Sequence, residues 1–147
     1  MKSLLKLPLI VAVIIVVGRV VVERIGILPQ FHNYFSAVAL TVLIGPLYFG
    51  WKIAGDRMPR PYVTQFKTTV LYVVLVRAML LPVYWLAFFY KWPEQRFLIP
   101  SEAGDGPLAG YVIVPFATAI SWILASTLVG GGLGSLIIAI RRRVSAT

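Results

Sequence analysis

Between Thr68 and Tyr90 the chain holds an apolar run of 23 residues, closed by Lys67 and Lys91 and interrupted by one charge, Arg77. As a helix rising about 1.5 Å per residue it measures roughly 34 Å, slightly longer than a hydrocarbon core of ~30 Å. Arg77 then falls near the midplane, where a cation costs about 2.5–3.5 kcal/mol on insertion scales. A run of this kind needs lipid around it or a large soluble core. The composition decides for lipid, because 59% of the residues are hydrophobic and only 13% charged, too apolar for an ordinary soluble domain. The fold class expected is an all-α integral membrane protein with four transmembrane helices in an antiparallel bundle, both termini cytoplasmic, as one domain over residues 1–147. The spans fall at about 5–25, 36–53, 68–90 and 110–140.

The first span has Lys2 and Lys6 ahead of an apolar stretch from Leu7 to Val17, a layout shared with signal peptides. No small-x-small cleavage pattern follows, and Val20, Val21, Val22, Ile25, Ile27 and Leu28 resume the apolar character, so an uncleaved helix is expected. Arg19 and Glu23 lie one turn apart near its outer end, where they can pair while Arg24 reaches head groups. After Pro29 the cluster Phe31, His32, Tyr34 and Phe35 suits an interface. His32 is the only histidine, so it reads as an interfacial hydrogen bonder and not as a haem or metal ligand.

The second span carries Gly45 and Pro46 near its middle. Proline removes one helical donor and crowds the carbonyl of Val42, which predicts a kink with loosened carbonyls at the depth of Arg77. The connection from Gly55 to Lys67 reads as a cytoplasmic loop. In the third span Val70, Val73, Val74, Leu81 and Tyr84 share the helical face of Arg77. Residues 91–108 form the longest connection.

The last apolar segment, Ala109 to Ile140, is 32 residues long, or about 48 Å as one helix. It must tilt, protrude or break, and Gly130, Gly131, Gly132 and Gly134 mark the expected break, with a bend at Pro115. The alternative is helix packing. Ala117, Ser121 and Ala125, then Ser126, Gly130 and Gly134, recur at the small-xxx-small spacing that lets backbones approach.

The formal net charge of +9 does not point to nucleic acid, because the basic residues sit at the ends of apolar segments. One side collects Lys2, Lys6, Lys52, Arg57, Arg60, Lys67, Arg141, Arg142 and Arg143, and the other only Arg24, Lys91 and Arg96. This asymmetry puts both termini inside and predicts contacts to anionic lipids at the cytoplasmic face. It suits a multi-pass protein of a plasma or bacterial inner membrane.

Chemistry is sparse. The run Gly130 to Gly134 lacks the strand and the lysine-serine ending of a phosphate loop. Glu94, Glu102 and Asp105 lie in an outer loop with no histidine or serine pattern to join them. There are no cysteines, and no catalytic residue, metal site or cofactor is indicated. In length and four-span layout the chain resembles the small multidrug transporters, whose defining acid is buried in the first span. Here that span offers Glu23, at its outer end beside Arg19, so the resemblance is one of architecture. Arginine cannot replace such an acid because it stays protonated.

Arg77 is therefore the candidate contact for a ligand or partner, with Tyr84 and Pro46 as neighbours. In the alternative it is an internal cation solvated by carbonyls near Pro46 and by Tyr84, Thr118 or Ser121. The function expected is that of a non-enzymatic accessory or assembly subunit of a larger membrane complex, contacting other membrane subunits or itself. The second reading is a small oligomeric channel or carrier for an anion or lipid, with Arg77 lining the path.

Overall fold

The computed structural model describes residues 2–26, 36–92 and 106–147, and every regular element among them is helical. Four helices, α1 (Lys2–Ile25), α2 (Ala37–Gly55), α3 (Pro61–Phe89) and α4 (Ala109–Val144), are long and apolar enough to cross a membrane. His32, Arg96 and the outer-loop acids Glu94, Glu102 and Asp105 lie outside the described residues.

Two boundaries differ from the sequence expectation for physical reasons. The segment before Lys67 is not all loop, because α3 starts at Pro61. Proline suits a first helical position, where its missing N–H would be an orphan anyway, and Arg60 with φ 47° turns the chain into it. The expected break at the glycines is also absent, since α4 runs unbroken from Val114 to Val144. Each of Gly130, Gly131 and Gly134 abuts a neighbouring helix, so close packing holds the helix through the run.

Neither Pro46 nor Pro115 breaks its helix. A π turn, Leu40–Ile44 in α2 and Ala109–Ile113 in α4, ends two residues before each proline. The wider turn accommodates a residue that cannot donate and would crowd the preceding turn. Proline leaves one carbonyl, four residues back, without its helical donor. For Pro115 that carbonyl is Tyr111, and the indole Nε1 of Trp85 donates to it at 2.8 Å. For Pro46 it is Val42, whose oxygen faces the backbone of α4 at Gly130.

This repair yields a first prediction. Trp85→Phe should cost about 1 kcal/mol, the usual net worth of one hydrogen bond, because this bond lies on the outer surface of the helices. In a Pro115→Ala background the helical donor returns and the same change should cost clearly less. A thermal or denaturant double-mutant cycle reads the coupling, and equal costs in both backgrounds would contradict the assignment.

In packing, α4 lies mainly on α2 and α3, and α1 rests on α3 with slighter contact to α2. The core joins Leu4, Leu5 and Ala12 of α1 to Leu40, Phe49 and Ile53 of α2, Tyr72, Val73 and Val76 of α3 and Ile138 of α4. Phe49 and Tyr72 meet edge to face at 5.3 Å, an arrangement worth about 0.5–1.5 kcal/mol beyond area. Outward the helices are apolar too, through Leu7, Ile10, Ile14, Val17 and Val21 on α1 and Phe116, Ile120, Leu124 and Leu128 on α4. In lipid such residues are at home. Association then rests on close packing and interhelical hydrogen bonds, because lipid tails are as apolar as leucine.

That packing is tightest where small residues cross. A Cβ on Gly130 would stand 2.6 Å from the Pro46 ring and 3.0 Å from the Val42 oxygen, and one on Gly50 would run into the Gly134 carbonyl. Ser126 Oγ donates to Thr41 Oγ1 at 3.2 Å, and Thr41 donates onward to the Ala37 carbonyl at 2.8 Å. At the far end of the same contact, Arg141 stacks 4.4 Å over Trp51 and donates to its carbonyl, while Arg142 reaches the Met58 carbonyl at 3.0 Å. Cations suit the carbonyl end of α2. Two of the three terminal arginines are thus engaged within the chain.

Candidate functional site

One stripe of α3 is buried from end to end: Gln65, Thr68, Thr69, Tyr72, Val73, Val76, Arg77 and Leu80. The spacing of three and four residues is the inward face of a helix, yet four of its members are polar. Val73 shares this face with Arg77 as expected. Val70 and Val74 do not, being 38% and 40% exposed and lining an outward-facing groove.

Gln65 occupies the crossing of three helices. Its Nε2 donates to the Pro46 carbonyl at 3.0 Å and to Thr69 Oγ1 at 3.3 Å. On the α4 side its amide lies where a Cβ on Gly134 would fall. The sequence reading assigned Gln65 to a cytoplasmic loop and missed it. The signal was its register with Thr69, Tyr72 and Val73, which extends the helix below Lys67.

Arg77 lies twelve residues further along α3, about 18 Å at the helical rise. It is only 5% exposed, and neither Nε nor Nη2 has a hydrogen-bond partner. Its guanidinium carbon stands 5.3 Å from the centre of the Trp122 ring, close enough for a cation–π contribution of about 0.5–2 kcal/mol. Beside it is a cavity of about 10 Å³ lined by Leu80, Leu81 and Tyr84 of α3 and Pro115, Thr118 and Ala119 of α4. That volume has room for one oxygen-sized atom.

The structure therefore brings together Arg77, Tyr84 and Thr118 and adds Trp122, but it does not bring in Pro46. Pro46 binds Gln65 through its carbonyl, and the Val42 oxygen meets Gly130, so neither carbonyl solvates Arg77. Ser121 does not reach Arg77 either, because its hydroxyl folds back on the Ala117 carbonyl at 2.8 Å. Of the two acids among the described residues, Glu23 is bound to Arg19 at 2.9 Å and Asp56 lies 3.9 Å from Lys52.

The two small-residue series separate. Ser126, Gly130 and Gly134 are buried against α2 and α3, whereas Ala117 and Ser121 are exposed and Ala125 half-buried. Only the second series remains on the outer surface of the chain. Among the described residues no three His, Cys, Asp or Glu side chains gather into a group able to hold a metal ion.

No family model matches the chain, and no curated protein or solved structure shows significant similarity to it.

Proposed function

We propose that this protein is a four-span membrane protein, its helices antiparallel and both termini cytoplasmic, that serves as a non-enzymatic accessory or assembly subunit of a larger complex in a plasma or bacterial inner membrane. The observation that carries this reading is Arg77. A guanidinium whose Nε and Nη2 have no hydrogen-bond partner is costly at mid-membrane depth, and among the described residues neither an acid nor a loosened carbonyl meets it. A partner subunit does so in this reading. The exposed Ala117 and Ser121 face of α4 supports it, since small residues on a lipid-facing helix admit close approach by another helix.

The alternative, an oligomeric channel or carrier for an anion or lipid with Arg77 lining its path, asks for a passage beside Arg77. A cavity for one oxygen-sized atom favours the subunit reading. Arg143 and the lysines of the basic side are assigned to anionic head groups.

Affinity purification in mild detergent from the source membranes tests the function. Reproducible recovery of one or more different proteins at fixed ratio is expected, and a pure homo-oligomer would favour the carrier. Threading is tested separately, because the chain has no native cysteine. Gly106→Cys should react with an impermeant reagent from outside and Thr147→Cys only from the cytoplasm. The reverse pattern, or both from one side, would overturn the topology.

A further inference from the structure

The partly open cavity between α3 and α4 has a cation on its wall and two hydroxyl-bearing residues, Tyr84 and Thr118, in the same lining. Arg77 contributes that cation while only 5% exposed, and its Nε and Nη2 are buried without a hydrogen-bond partner. These two nitrogens share one edge of the guanidinium, so a single acceptor in the cavity can take a hydrogen bond from both. We propose that the cavity binds one halide ion, chloride or fluoride, held by Nε and Nη2 of Arg77 and by the hydroxyls of Tyr84 and Thr118. The ion neutralises Arg77 in the unassembled chain. The subunit reading adds a partner that takes over this role on assembly, and neither statement depends on the other.

Charge and size select the ion. A buried water would accept from the two nitrogens but leave the cation at mid-membrane depth without a counter-charge. Phosphate, sulfate and free carboxylates are polyatomic and overfill a space of about 10 Å³, which suits one water-sized particle. A halide brings a full negative charge in a single atom. Chloride is somewhat larger than a water oxygen and gains room through the open mouth of the cavity. The two acids among the described residues are committed elsewhere, Glu23 to Arg19 and Asp56 to Lys52, so no carboxylate competes for the guanidinium or repels the ion. The Trp122 ring stands 5.3 Å from the guanidinium carbon and is absent from the cavity lining, which leaves the nitrogens for the ion. Leu80, Leu81, Pro115 and Ala119 make the rest of the wall apolar, and in such surroundings an attraction between opposite charges is much stronger than in water.

Thermal unfolding of the purified chain in mild detergent tests the site, with sodium chloride or sodium fluoride replacing sodium gluconate at constant ionic strength. The parent's midpoint should rise by about 3–6 °C for each ten-fold increase in halide above half-saturation. Arg77→Met should show no such rise, and without halide it should be the more stable of the two proteins. Thr118→Val keeps the shape of the side chain and removes one hydroxyl, so it should raise the half-saturating halide at least ten-fold, the usual worth of a hydrogen bond to a charged group. A response to fluoride alone would name fluoride as the ion, and a response to both would extend the site to chloride. A parent midpoint indifferent to both halides, or an equal rise in folded Arg77→Met, would overturn the site. Should Arg77→Met fail to fold, Thr118→Val decides, and an unchanged half-saturation would overturn it. Loss of the halide site leaves the subunit reading to affinity purification, and recovery of no different protein there leaves the halide site standing.

Discussion

Gly50→Ala is expected to destabilise the protein by about 1–3 kcal/mol, the usual cost of forcing extra volume into a packed contact, with a correspondingly lower thermal midpoint in detergent. Its added methyl meets the Gly134 carbonyl, a backbone atom that can move only with the whole of α4. The matched control is Gly132→Ala. That glycine lies exposed in the same helix as Gly134, with nothing within 4 Å of its Cβ position. Removing a glycine from a helix interior gains about 0.5–1 kcal/mol, so the control should be neutral or stabilising. The same logic makes Gly130→Leu severe, against Pro46 and Val42, and Gly106→Leu mild. Equal midpoints for Gly50→Ala and Gly132→Ala would contradict the crossing of α2 and α4.

For the isolated chain, Arg77→Met should not destabilise and should raise stability by about 0.5–3 kcal/mol. Removing the midplane cation relieves about 2.5–3.5 kcal/mol and forfeits about 0.5–2 kcal/mol of attraction to the Trp122 ring. Methionine fills similar volume with a flexible apolar chain. Partner association should be lost, because no other group at that position can pair with an acid. Arg77→Lys should restore it only in part, since a point charge does not reproduce the two-donor fork. A large fall in the midpoint of isolated Arg77→Met would show that the guanidinium is instead an internal strut.

What the sequence made legible was set by length and hydropathy. Four apolar runs of helical length leave little freedom, and all four return as helices. What it concealed was contact. Pro46 and Arg77 were expected at one depth because each is near the middle of its own span, yet the Pro46 carbonyl accepts from Gln65, twelve residues before Arg77 on α3. Local rules gave a proline kink. The fold answers both prolines with a π turn, and Trp85, 26 residues from Tyr111 in sequence, supplies the missing donor, which no local pattern reveals. The glycine run shows the same limit, since it breaks a helix in isolation and becomes a contact surface once Pro46, Phe66 and Gln65 lie against it. For the site, the charge of Arg77 was visible in the sequence, while the Trp122 ring against it and the unmatched Nε and Nη2 emerge only once α4 is in place.

Native mass spectrometry of the parent protein and Arg77→Met, extracted side by side from the source membranes, is the most direct test that a partner subunit completes this chain. The parent should carry the mass of at least one different protein at fixed stoichiometry. Arg77→Met should be equally abundant and equally folded but appear without that mass. Identical assemblies for the two proteins, or a parent found only as copies of itself, would contradict the account.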